Sequence, residues 1–303
     1  MSKSTAAEEK PLSGKSSWPG RLALWFLKML ANAPPWLGRL FGRGLAAVLW
    51  HLMRGRRRVA RKNLKLCFPD RSDAERERLL RQSMQSVGLG GYEFVRAWWG
   101  PSIHEPYTIT GLEHIDAIRS QGRGILLLSG HFMTLELCGR MLCRHIPLAG
   151  MYRRHKQPWL EHAVKAGRLT YADAMFAREE LRAAVKYIKK GGIIWYAPDQ
   201  DMRGKDAVFA PFFGIPASTI TATHQLARLT GAAVLPFFHR RDGQGGYVLR
   251  IGAPLADFPS DDAVADTARV NGLIEQMVRE APDEYLWIHK RFKTRPAGET
   301  GLY

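Results

Sequence analysis

Ser129-Gly130-His131-Phe132-Met133-Thr134-Leu135-Glu136 places a histidine and a carboxylate five positions apart, directly after the apolar run Gly124-Ile125-Leu126-Leu127-Leu128. A neutral imidazole can take a proton near physiological pH. A carboxylate on one of its ring nitrogens fixes the tautomer and leaves the other nitrogen free, which is the base-and-orienter half of a hydroxyl-activating site. On one continuous helix the two residues would lie about 140° apart and share no face. The pairing therefore requires His131 in a turn and Glu136 in the first turns of the following helix, folded back toward the ring. The plainer alternative is a satisfied core histidine beside a surface glutamate.

Three further clusters carry chemistry-bearing side chains. Pro198-Asp199-Gln200-Asp201 follows the apolar stretch Ile193-Ile194-Trp195-Tyr196-Ala197, so Asp199 is expected on the same rim as His131, or is only a turn former after Pro198. Gly167-Arg168 adds a cation just beyond a helical pattern at Trp159-Leu160, with a solvated surface arginine as the alternative. Near the end, Trp287-Ile288-His289-Lys290-Arg291-Phe292-Lys293-Thr294-Arg295-Pro296 sets four fixed positive charges among aromatics. Such a rim suits a phosphorylated amphiphile, although a charge run is commonly a solvated face.

The elements that must hold these residues read as alternating strands and helices from Tyr107 onward. Strands are expected at Tyr107–Thr110, Gly124–Leu128, Leu148–Tyr152, Gly192–Ala197, Ala232–Phe238 and Tyr247–Ile251, with helices between them at Arg178–Lys190 and Thr221–Thr230. This implies an α/β fold with a mostly parallel mixed sheet covered by helices on both faces, whose site lies at the carboxyl ends of the strands. Before it, Ser72-Asp73-Ala74-Glu75 has capping-box spacing and opens a helix expected to end near Gly88–Gly91, with a second short helix over Tyr92–Trp99.

Charge is segregated. Residues 1–65 hold 14 Lys or Arg against Glu8 and Glu9, out of a net +17 for all 303 residues. An anionic partner is expected at that end, either a membrane surface or a nucleic acid. The apolar company favours the membrane: Leu22–Leu27 and Gly44–Trp50 flank Pro34-Pro35, and Arg54-Gly55-Arg56-Arg57-Arg58 follows directly. No run approaches the roughly 18 apolar residues of a spanning helix, so an interfacial hairpin with Trp25, Trp36 and Trp50 at headgroup level is the expectation. Two ordinary helices packed on a soluble core are the structural alternative. No zinc-finger spacing or RNA-binding motif accompanies the charge, so no nucleic acid is expected. Residues 1–20 read as a disordered tail. Cys67, Cys138 and Cys143 are too few and too irregular for a disulfide framework, and no metal-ligand motif occurs, so neither metal nor cofactor is expected.

Taken together, the His131–Glu136 segment, Trp195-Tyr196-Ala197-Pro198-Asp199-Gln200-Asp201, Phe209-Ala210-Pro211-Phe212-Phe213-Gly214, the Trp287–Pro296 ending and the early Arg57-Arg58-Val59-Ala60-Arg61-Lys62-Asn63-Leu64 resemble the late acyltransferases of lipid A biosynthesis, in that family's order, from about residue 20 to the end. The resemblance implies a glycerophosphate-acyltransferase type of α/β fold at the cytoplasmic face of the inner membrane. With the composition of residues 1–20 and the apolar and basic pattern that follows, the expected division is a disordered tail at 1–20, a membrane-associated helical anchor at 21–55 and a catalytic domain at 56–303. The resemblance further implies transfer of an acyl chain, of lauroyl type by the motif wording, from acyl carrier protein to the 3-hydroxyl of a hydroxyacyl chain on the lipid A precursor. His131 and Glu136 match the family's H-x4-(D/E) pair, Arg168 its downstream arginine and Asp199 its aspartate. The acceptor's phosphates would require cations, for which Lys290, Arg291, Lys293 and Arg295 are the candidates, and the same charges would equally suit the acidic carrier protein. Two other readings fit the same residues less well: a glycerolipid or glycolipid acyltransferase using acyl-CoA or acyl carrier protein, and a noncatalytic membrane-binding scaffold.

Overall fold

The computed structural model describes residues 18–303. The tail expected at 1–20 lies outside the described residues except for its last three, which begin the first helix. Four helices precede the sheet: α1 (Trp18–Ala31), α2 (Pro35–Leu52), α3 (Arg54–Cys67) and α4 (Asp73–Trp99). Pro34-Pro35 separates α1 from α2, with Pro35 at a first-turn position where its missing N–H costs nothing. The Ser72–Glu75 capping box is formed, and α4 then runs unbroken for 27 residues. The expected break at Gly88–Gly91 does not occur. A Cβ at Gly88 would come 2.4 Å from the Gly42 carbonyl oxygen, so that glycine lets α2 and α4 cross closely and does not end a helix.

The sheet strands are β1 (Tyr107–Thr110), β2 (Ile125–Leu128), β3 (Leu148–Tyr152), β4 (Ala174–Ala177), β5 (Ile193–Tyr196), β8 (Ala233–Arg241) and β9 (Tyr247–Ile251), while β6 (Ala207–Phe212) and β7 (Ile215–Ile220) form a separate hairpin. The seven-stranded order is β1-β9-β8-β2-β5-β3-β4, parallel at every pair except β8–β9. The expected α/β class and mixed, mostly parallel sheet are therefore present. β2 is buried at all four positions. Leu126 and Leu128 join the core built with α3 and α10 (Ala263–Glu280), whereas Ile125 and Leu127 join the core built with α5 (Leu112–Arg119) and α6 (Leu135–Leu142). Burial on both faces is why this strand reads as a continuous apolar run and not as an alternation.

Two strand regions escaped the sequence reading. β4 is a four-residue edge strand. The β6–β7 hairpin carries Pro211 opposite Pro216, residues that argue against a strand unless it has free edges, as a two-stranded ribbon does. Its turn, Phe213-Gly214, is left-handed at both positions, with φ of 53° and 74°.

α3 is tied to the carboxyl-terminal segment by Asn63, which is 1% exposed. Its amide donates to the carbonyls of Trp287 at 2.7 Å and His289 at 2.8 Å, and its own oxygen accepts from the Tyr303 hydroxyl. Asn63→Leu leaves those buried carbonyls unpaired and is expected to destabilise the chain by about 2–4 kcal/mol, read as a lowered denaturant midpoint.

α1 and α2 keep a large apolar surface outward, including Trp18, Leu22, Trp25, Trp36, Leu40 and Leu52. Among the described residues, no helix is long and apolar enough to cross a membrane.

Candidate active site

β2 and β5 are parallel neighbours in the register Leu128↔Tyr196. His131 lies three residues beyond Leu128 and Asp199 three residues beyond Tyr196, so the two strand ends deliver both side chains to one place. His131 Nδ1 lies 2.5 Å from Asp199 Oδ1, and the His131 backbone N–H donates to Asp199 Oδ2 at 2.9 Å. A carboxylate can only accept here, so Nδ1 carries the proton and Nε2 keeps its lone pair. Gly130 permits this approach, since a Cβ there would press on Ile274 and Phe132. Segment 284–286 braces the turn from outside: Leu286 N–H donates to the His131 carbonyl at 3.0 Å and Met133 N–H to the Glu284 carbonyl at 2.8 Å.

Electrostatics follow from this geometry. Burial opposes a charged His131, yet the Asp199 carboxylate more than offsets it, so the imidazole pKa lies above its ordinary 6.5. Burial likewise opposes ionised Asp199, but the His131 ring and backbone N–H hold its carboxyl well below the usual carboxylate range. Asp199 is 2% exposed, so this pair sits in a medium where charge interactions are strong. Behind the turn, buried His239 meets the Thr134 hydroxyl at 2.8 Å. Burial pushes its pKa down to about 3, so it is a neutral spacer under the loop.

Glu136 does not orient His131, contrary to the sequence expectation. Its carboxylate pairs with Arg168, whose Nε lies 3.2 Å away, and also accepts from Trp98 Nε1 at 2.7 Å and the Tyr171 hydroxyl at 3.3 Å. Glu136 sits at the second position of α6, and the side chains of α4 and of α7 (Pro158–Arg168) draw it away from the turn. Arg168 is correspondingly no surface cation. Burial lowers its pKa but Glu136 raises it further, and the guanidinium is held 5.6 Å from the ring centres of both Trp98 and Tyr152. Trp98, Tyr152 and Tyr171 were not singled out from sequence, because aromatics at the ends of helices and strands look like ordinary core.

Both clusters border one apolar cavity of about 350 Å³, lined by Phe94, Leu148, Met151, Met175 and Trp195 among others. That volume falls in the range of roughly 300–1,000 Å³ typical of small-molecule sites. The His131 ring lies at its wall, 6.3 Å from the Trp195 ring centre.

The terminal basic run divides by burial. Arg291 is 3% exposed and donates to the Ser218 carbonyl at 2.8 Å and the Thr219 hydroxyl at 2.6 Å, clamping β7 to the core. Arg295 donates to the Pro216 carbonyl at 2.6 Å and pairs with Glu299. These two are structural and do not supply the open cations expected of them. Lys290 and Lys293 do face an open groove.

An imidazole oriented by a buried aspartate, at the wall of an apolar cavity and the carboxyl ends of parallel strands, is equipment for activating a hydroxyl toward an acyl group. Residues 9–294 match the family model of bacterial lipid A biosynthesis acyltransferases. The lipid A biosynthesis lauroyltransferase of Escherichia coli (strain K12) is 38% identical over 95% of this chain and 94% of its own length. The lipid A biosynthesis palmitoleoyltransferase of the same organism is 37% identical with the same coverage. The chain belongs to the bacterial lipid A biosynthesis acyltransferase family and is an acyltransferase.

Proposed function

We propose that the chain acylates the lipid A precursor, moving a fatty acyl chain of lauroyl type from acyl carrier protein onto the 3-hydroxyl of a hydroxyacyl chain already on the acceptor. His131 Nε2 takes the hydroxyl proton as the oxygen attacks the thioester carbonyl. The carbon–sulfur bond of the resulting tetrahedral intermediate breaks, and the proton leaves with the carrier thiol. Asp199 holds the Nδ1–H tautomer and stabilises the imidazolium, and the acyl chain occupies the apolar cavity. The single observation carrying this reading is the 2.5 Å contact between His131 Nδ1 and Asp199 at the wall of that cavity. Phe132, Met133 and Leu135 N–H groups already donate to protein carbonyls, and Arg168 is committed to Glu136.

The exposed apolar faces of α1 and α2, continuous with the basic start of α3, support placement of the chain on the cytoplasmic face of the inner membrane with α1 and α2 in the interface. Mass spectrometry of tetra-acylated precursor incubated with ten-, twelve-, fourteen- and sixteen-carbon acyl carrier proteins tests the whole reading. One acyl mass gained with wild type and none with His131→Ala is expected. Acylation of a glycerolipid acceptor in place of the precursor would overturn it.

A further inference from the structure

A groove of about 1180 Å³ opens beside the site, walled on one side by Arg56, Arg58 and Lys62 of α3 and on the other by Lys290 and Lys293. Among the described residues, none of these five cations has a carboxylate within 4 Å. Two other basic residues of α3 are engaged elsewhere: Arg57 lies over the Trp50 ring at 4.3 Å and Arg61 pairs with Glu77 at 3.0 Å. The three that line the groove keep their charge open toward it, at i, i+4 spacing for Arg58 and Lys62. The groove's one side-chain carboxylate, Asp201, is occupied by the Thr294 N–H at 2.9 Å and hydroxyl at 3.0 Å. Five like charges held around one concavity repel one another, and that arrangement is relieved by an anion.

The groove also has a direction. His289 borders it and also borders the small polar cleft that contains His131 and Asp199. At its other margin Leu52, 76% exposed, continues the outward apolar face of α2. A groove that adjoins the cleft of the base through His289 and the apolar helices through Leu52 suits a phosphorylated amphiphile better than a free anion.

We infer that this groove is the acceptor's phosphate site, with Arg56, Arg58 and Lys62 on one wall and Lys290 and Lys293 on the other gripping the phosphoryl groups of the sugar head while the hydroxyl reaches His131. The inference rests on the proposed acceptor and adds to it a binding wall on α3 that the carboxyl-terminal motif does not contain. It also removes Arg291 and Arg295 from the set of ligands.

The test compares the full chain with an Arg58→Gln/Lys62→Gln variant and a Lys290→Gln/Lys293→Gln variant, on the bis-phosphorylated precursor and on the same precursor after phosphatase treatment. Charge-assisted contacts to phosphate of this kind are worth on the order of tenfold each in affinity. Each variant is expected to raise KM for the phosphorylated acceptor by about tenfold or more, bringing it toward the KM of the dephosphorylated one, with an unchanged denaturant midpoint. If wild type acylates both acceptors with equal KM, or if the variants raise KM for the acyl donor and not for the acceptor, the groove is not a phosphate site although the proposed transfer stands. If wild type acylates neither acceptor, the proposed function and the groove assignment both fall.

Discussion

Asp199→Asn is expected to lower kcat for acyl transfer by about 10²–10⁴-fold at neutral pH in a chain that remains folded. The reason is the count of acceptors. Both Asp199 oxygens accept, one from His131 Nδ1 and one from the His131 backbone N–H. An amide offers one acceptor and one donor. If its oxygen stays on the backbone N–H, its NH₂ faces Nδ1 and forces the proton onto Nε2, where the lone pair is needed. If it turns the other way, the backbone N–H loses its partner and the turn loosens. Loss of the negative charge also leaves the burial of His131 uncompensated, so the imidazole pKa falls. Steady-state kinetics beside a circular-dichroism check of folding measure the effect. An Asp199→Asn enzyme within threefold of wild type would remove Asp199 from the mechanism.

Glu136→Gln is expected to act mainly on stability. It leaves the Arg168 guanidinium, with a side chain only 15% exposed, facing a neutral amide, and unpairing a buried ion pair costs about 3–5 kcal/mol. Removing both charges together, in Glu136→Gln/Arg168→Met, is expected to recover much of that loss, because a buried pair replaced by apolar volume is often near neutral. Denaturant midpoints of the two single variants and the double variant decide the matter. A fully stable Glu136→Gln protein would show that the pair carries no packing role. The rate is also expected to fall in this variant, since the pair borders the same cavity as His131, with a pH dependence that stays where the His131–Asp199 contact puts it.

The strand ends were legible because β2 and β5 are short apolar runs that stop at Gly or Pro, and a base at such an end is where open α/β sheets carry chemistry. The identity of the orienting carboxylate was not. His131 and Asp199 are 68 positions apart and meet only because β2 and β5 are neighbours in one register, a fact of sheet order that local spacing does not encode. Glu136 is close to His131 in sequence but separated from it by a turn, and its partners come from α4, α7 and Tyr171, each more than 30 positions away. The terminal basic run shows the same limit. Lys290, Arg291, Lys293 and Arg295 are equivalent as a string of charges, yet β7 draws Arg291 and Arg295 inward while Lys290 and Lys293 stay on the groove. In α4, the glycines that looked like a stop are an adaptation to α2, whose backbone lies too close for any side chain at Gly88.

The most direct test of the central claim, that Asp199 and not Glu136 holds the base, is the pH dependence of kcat/KM for acyl transfer by wild type, Asp199→Asn and Glu136→Gln. The base must be neutral, so activity rises with pH through the His131 pKa. The expected wild-type limb lies above the ordinary histidine value of 6.5, because Asp199 favours the charged ring. Glu136→Gln is expected to keep that limb at reduced amplitude, and Asp199→Asn to move it downward. A limb that moves with Glu136→Gln and stays fixed in Asp199→Asn would contradict the account.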